Sequence, residues 1–246
     1  MTGYRFKPSV TAWLLSGVVL PAFITLGFWQ LHRAEEKAAL NALREARSQD
    51  IAVRLAPEIP EALEPLRFRR VWAEGEYDTA RQFLLDNQLQ GQAPGYHVLT
   101  PLRLAGSGKA ILVNRGWVPL GPSRASLPDI ALAPAGPVRV QGALDRLHRV
   151  GYRLKGAEIP GAGWPSVVQL PEPASLAVRL GYPLLPYQVL LAPDAANGYS
   201  RLWHAAKLDP GKHRGYALQW FLFAACAVFF FVRHGLRNAA HPHDKL

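Results

Sequence analysis

The chain has 246 residues and a formal net charge of +10, with one cysteine, Cys226, and one methionine, Met1. A single cysteine excludes an intrachain disulfide, redox work by paired thiols and a thiolate metal site, and the lack of internal methionine excludes a soft Cys/Met copper carrier. The basic residues are scattered and accompany no nucleic-acid motif, which excludes nucleic acid as the partner and leaves anionic lipid as the counterpart of the charge.

In chain order, a short tail (residues 1–9) leads into the uncharged run VTAWLLSGVVLPAFITLGFWQL, Val10 to Leu31. At ~1.5 Å per residue it reaches roughly 33 Å, enough to cross the hydrocarbon core of a bilayer. A secretory signal would have a shorter apolar region and a small-residue cleavage site, and no such site stands before Trp29-Gln30, so the run predicts a retained transmembrane helix. The following RAEEKAALNALREARSQDIAVRL is rich in helix formers and predicts that the helix continues into water for a few turns, ended by Pro57 and Pro60.

From Arg67 the texture changes to short β-like runs: RFRRVWAEGEY, RQFLLDN, YHVLTPLRLA, KAILVNRGWVPL and VRVQGALDRL, with PSVVQL and YQVLLA later. Gly, Pro, Asn and Asp punctuate them at the spacing of a mostly antiparallel sandwich or barrel. Gly121 to Pro137 and Gly151 to Pro165, dense in Gly and Pro, read as long surface loops, and Glu172 to Leu180 as a small helical insert. The pieces GSGK and GAGW do not stand between a strand and a helix as a phosphate loop requires, and read as turns. Residues 32–214 therefore form one extramembrane β-rich domain.

A second uncharged run, Gly215 to Val232, predicts another transmembrane helix, followed by a basic tail at 233–246 with Arg233, Arg237 and Lys245. The fold class is thus a membrane protein, two transmembrane α-helices flanking the β domain, anchored in a lipid bilayer with both termini on one side. Charge alone does not orient it, because basic residues stand on both sides of the spans.

The domain-side ends of the two spans carry the chemistry. Trp29, Arg33 and Lys37 fall at i, i+4 and i+8 on one helical face, and His213, Tyr216, Ala217 and Trp220 share a face of the second helix. A two-helix hairpin would place His32 and His213 at one membrane depth. Imidazole at an apolar boundary can ligate haem iron, Trp and Tyr rings can flank a porphyrin, and Arg33 or Lys37 can pair with its propionates. The plainer reading is an interfacial aromatic belt with snorkelling cations and a hydrated histidine. No nucleophile elbow, metalloprotease helix or carboxylate pair supports an enzyme, although Ser123, Ser126, His97, His148 and Asp86 could meet in a membrane-tethered hydrolase.

Four pieces, GFWQLHRAEEK, RFRRVWAEGEYD, the pair PGYHVLTPL and ILVNRGWVP, and KHRGYALQWF, resemble the Surfeit locus protein 1 family of cytochrome c oxidase assembly factors almost from end to end. The resemblance implies no catalytic residues and a role in maturing haem-copper oxidase, helping haem a reach subunit I, the catalytic subunit, with haem a synthase a further partner. It implies a domain on the outer face of the energy-transducing membrane, the periplasm in a bacterial form, with both termini cytoplasmic. His213 matches the histidine implicated in haem a binding, here as the iron ligand, whereas His32 stands at a position where the family varies. Gly211-Lys212 departs from the polar Asn pair common in the family, and Gly75 and Gly116 match family glycines as backbone requirements. A cofactor-free scaffold holding oxidase subunit I is the alternative.

Overall fold

The computed structural model describes residues 6–55, 64–122, 124, 126–133, 136–147, 155–203 and 209–240, without the side chains of 237–240. Two compact units result, one from Met1–Ala42 with Lys207–Leu246 and the other from Leu43–Ala206.

The first unit is a pair of helices. Helix α1 (Val10–Ser48) contains Pro21, which a membrane helix tolerates, and its first half is the apolar run read from the sequence. The partner helix spans Pro210–Ala240 and is called α3 below. Both are long and apolar enough to cross a membrane. They meet along seams of matched spacing, Phe23, Gly27, Gln30 and Ala34 on α1 and His213, Ala217, Trp220 and Ala224 on α3, with Gly27, Ala34, Ala217 and Ala224 buried. Small residues on the seam let the helices approach, and Phe28–Phe221 and Trp13–Phe231 ring contacts at 5.4 and 4.9 Å fill its flanks. The outward faces stay apolar and exposed, with Leu14, Val18, Leu222 and Phe229 among them, as lipid-facing helices require.

In the second unit the last turn of α1 ends at Ser48, in Gln49 and Asp50, rather than at Pro57 and Pro60, which lie outside the described residues. Arg47 donates to the Arg67 carbonyl at 2.9 Å and the Arg44 guanidinium lies 4.7 Å from the Phe68 ring centre, so this turn is tied to the RFRR segment. The strands are β1 (Val53–Arg54), β2 (Arg70–Tyr77), β3 (Phe83–Gln90), β4 (Ala93–Leu104), β5 (Ala110–Pro119), β6 (Pro137–Arg146), β7 (Ser166–Val168) and β8 (Leu184–Leu191), with helix α2 (Pro173–Leu180) between β7 and β8.

Going round, β2 pairs β6, β6 pairs β8, β8 pairs β5, β5 pairs β4 and β4 returns to β2, which closes a barrel. Only the β5–β8 pair is parallel within it. One edge of β4 faces β5; along the other, Ala93 to Leu99 pair β3, and Leu102 to Leu104 pair β2. Strand β7 extends β3, and β1 extends β2, both in parallel. Pro186 interrupts β8 where its register against β5 shifts, a place where a missing N–H is harmless.

Alternation sorts the side chains. Val71, Ala73, Leu102, Leu104, Ile111, Val113, Val140, Leu144, Val189 and Leu191 fill the barrel. On the other face of β5, Leu112 joins Phe83, Leu85, Leu99, Val168, Leu176 and Leu180, so the amphipathic α2 covers a second core outside the barrel. A third group, Leu84, Tyr96, Val98, Val118 and Ile130, lies under the segment after β5. That segment was expected to be a surface loop, yet Ile130 is buried at 4% exposure, because its apolar side chain and its carbonyl both find interior partners. The GSGK and GAGW pieces are turns, as expected.

Candidate functional site

Helix α3 starts earlier than the apolar run suggested. Asp209 caps it, its Oδ1 accepting from the Gly211 N–H at 2.8 Å, and Pro210 takes the first helical position, where no N–H is needed. Gly211 and Lys212 thus belong to the first helical turn, and His213 follows on the face turned to α1.

There the His213 Nδ1 lies 2.6 Å from Gln30 Oε1. A carbonyl oxygen only accepts, so a hydrogen bond in this arrangement requires the proton on Nδ1. Below this pair, the Trp220 ring stands 5.7 Å from Phe23 and 5.8 Å from Phe223, with Phe23 and Phe223 also 5.8 Å apart, forming an aromatic cluster along the seam. At the opposite end of the helix pair, Ser9 Oγ and His234 Nε2 approach to 3.3 Å, and the Lys7 N–H donates to the Gly235 carbonyl at 3.0 Å.

Of the residues singled out at the two span ends, the structure brings His213, Ala217 and Trp220 onto the helix–helix face, while His32, Arg33, Trp29 and Tyr216 are exposed. His32 is 72% exposed at its side chain, with Nε2 3.3 Å from Glu36 Oε1. Arg33 donates to the same carboxylate at 2.7 Å. Trp29 and Tyr216 are 55% and 52% exposed. His32 and His213 thus engage different partners. Gln30 was missed; its signal was a polar amide in the last turn of an otherwise apolar run.

The β domain holds a second polar concentration, built on the NRGW of β5. Asn114 donates to Gln188 Oε1 at 3.1 Å and lies 3.4 Å from His97 Nδ1, while His97 meets the Trp203 ring edge to face at 5.7 Å. Arg115 is only 3% exposed. Its Nε donates to the Asn197 carbonyl at 2.7 Å and its Nη1 to Gln82 Oε1 at 2.9 Å, and its guanidinium lies 5.0 Å from the Tyr199 ring centre. Burial pushes this guanidinium below its ordinary value, and burial likewise raises the Tyr77 phenol to about 12.

Gly116 follows at φ +116°, where a Cβ would stand 2.7 Å from the Ser200 carbonyl. The Trp117 and Ser200 main chains bridge there. The Trp117 Nε1 donates to the Gln88 carbonyl at 3.0 Å, and Trp117 is the cross-strand neighbour of His97, so PGYHV and NRGWVP interlock.

This network ties loops to the barrel. Asp86 is taken by Arg124 at 2.6 Å, and Ser123 and His148 lie outside the described residues. Among the described residues, no three His, Cys, Asp or Glu side chains gather as a metal cluster. An open cavity of about 520 Å³ is lined by Glu76, Arg103, Lys109 and Tyr182, and a smaller one of about 330 Å³ by Gln82, Ile130 and Trp164.

Residues 17–225 match the profile of the SURF1 family, which includes the domain-side ends of both spans and the whole β domain. A SURF1-like protein of Caenorhabditis briggsae is 31% identical over 121 residues, covering 41% of this chain and 38% of that protein. The Surfeit locus protein 1 of Arabidopsis thaliana is 35% identical over 113 residues, 41% of this chain and 32% of the relative. A SURF1-like protein of the bacterium Rickettsia conorii is 30% identical over 102 residues, 41% and 40% respectively. The chain thus spans less than half the length of these relatives. With its two membrane-capable helices, its interposed barrel and a family match over most of its length, the chain belongs to the SURF1 family.

Proposed function

We propose that this protein is an assembly factor for haem-copper cytochrome c oxidase that receives haem a and passes it towards subunit I, with no catalytic chemistry of its own. The observation that carries this reading is His213, half-buried on the face shared by the two helices, with Nδ1 engaged and with no hydrogen-bond partner for Nε2 among the described residues. An imidazole so held would be suited to ligate haem iron. Haem a is cargo here, supplying the iron and the macrocycle. His213 ligates it, Trp220 and the exposed Tyr216 and Trp29 rings border it, and Arg33 exchanges its exposed pairing with Glu36 for a propionate, since such a surface ion pair holds little. The β domain docks subunit I or haem a synthase, in the periplasm of a bacterial cell, with both termini cytoplasmic.

The test is the visible spectrum of protein purified from a host that makes haem a. A haem a band in the wild type that is lost in His213→Ala supports the reading. Haem-free wild-type protein, or a His213→Ala variant that still yields oxidase with normal haem spectra, overturns it. The exposed apolar faces of α1 and α3 favour a second reading, a cofactor-free scaffold that grips the spans of subunit I. That scaffold would retain subunit I when haem a synthesis is blocked.

A further inference from the structure

We infer that Gln30 is a positioning residue for His213: it selects the imidazole tautomer and aims the Nε2 lone pair away from the helix seam. This rests on the reading of His213 as a haem ligand. The geometry is specific. Gln30 is seven residues on from Phe23 and three on from Gly27, and so shares the face that meets α3. The buried Gly27 and Ala34 flank it, and the 2.6 Å contact spans 183 residues of sequence.

Two alternatives fail. A lipid-facing glutamine would simply be an isolated polar group in an apolar run, yet Gln30 is half-buried against α3 and its oxygen is satisfied. A plain interhelical hydrogen bond would be indifferent to which imidazole nitrogen it engages, whereas here the acceptor is an amide oxygen, which admits only the Nδ1–H form. An imidazole protonated at Nδ1 has its lone pair on Nε2, the atom a metal takes when a neighbouring acceptor orients the ring. Gln30 therefore does for His213 what a backbone carbonyl or carboxylate does for other ligating histidines. His32 has no such partner: its Nε2 is the nitrogen engaged, by Glu36.

The experiment uses the full chain in detergent micelles, ¹⁵N-labelled at histidine, at mildly alkaline pH without haem. Wild-type His213, assigned by comparison with His213→Ala, should show the Nδ1–H tautomer. Gln30→Leu should lose that signature in favour of Nε2–H, and Gln30→Glu, which still offers an accepting oxygen, should restore it. Retention of the Nδ1–H form in a folded Gln30→Leu variant, or its absence from the wild type, overturns the assignment. A second arm titrates ferric haem. Removing an orienting partner costs a ligand site about 10- to 100-fold in affinity, so Gln30→Leu should bind that much more weakly and Gln30→Glu should recover. Wild-type protein that shows the tautomer but binds no haem refutes the haem reading and leaves the positioning intact. Haem binding that is unchanged in Gln30→Leu refutes the positioning and leaves the ligand.

Discussion

Arg115 presents a sharper energetic question than its motif suggests, because its buried charge is met by neutral oxygens and an aromatic face, with no carboxylate among its contacts within the described residues. Replacing it by Met removes two good hydrogen bonds from a charged donor, worth roughly 1.5–3 kcal/mol each. Against that, Met relieves a desolvation penalty of several kcal/mol for a buried cation. What is left behind decides the balance. Gln82 Oε1 keeps the Thr100 hydroxyl at 2.8 Å, the Ile130 carbonyl keeps Gln82 Nε2 at 3.2 Å, and the Asn197 carbonyl belongs to an exposed residue that water can serve. Arg115→Met should therefore cost only about 1–3 kcal/mol. Arg115→Lys should cost more, because it keeps the charge and loses the forked donors that Asn197 and Gln82 need. Urea titration of the full chain in micelles, followed by near-ultraviolet circular dichroism, measures both. A Lys variant as stable as wild type, with Met far below both, would show that the charge itself is stabilised by an anion and would refute this account.

Gly75→Ala should open the barrel seam, since the new Cβ would stand 2.2 Å from the Arg103 carbonyl; an expected loss of roughly 2–4 kcal/mol, read in the same titration, checks it. The Tyr77 phenol, raised from its ordinary 10 to about 12 by burial, binds its proton more tightly folded than unfolded. Its contribution is whole below pH 10 and is lost as pH rises to about 12, amounting to roughly 2–3 kcal/mol at 1.36 kcal/mol per tenfold. Tyr77→Phe, which has no proton to lose, should flatten that part of the alkaline limb, measured as unfolding free energy against pH. Cys226, exposed on α3 about 24 Å along from Pro210 at ~1.5 Å per residue, should resist a charged maleimide in intact membrane vesicles, because hydrocarbon excludes the reagent, and should react once denaturing detergent dissolves the bilayer. Equal labelling before and after detergent would count against a spanning α3.

Much of the architecture could be read from the chain because its signals are local. The apolar runs became α1 and α3, the YQVLLA run became the second half of β8, which starts three residues earlier across Pro186, and the insert at Glu172 became α2 from Pro173. Boundaries failed where tertiary contacts override propensity. RFRR looked extended, but Phe68 takes φ +68° and buries against Arg44 and Arg67, so β2 starts only at Arg70. The two-residue β1 was illegible, since its pairing to β2, not its composition, makes it a strand. Within the candidate site, His213 and Trp220 were legible from helical spacing. Gln30 and the interior place of Arg115 were not, because each depends on a partner far along the chain that no periodicity announces.

The handover along β4 also settles how the strands keep step. The ladder to β3 ends at Leu99 and that to β2 begins at Leu102, with the Pro101 carbonyl between them already accepting from the Asp78 N–H. A two-residue slide of β3 along β4 would keep every side chain on its proper face, so patterning alone does not forbid it. It is blocked because β2 already occupies the track ahead, and β2 is blocked by β3 in turn. Each strand is the other's end stop, and the alignment of the whole sheet is fixed by mutual exclusion as much as by the fit of its side chains.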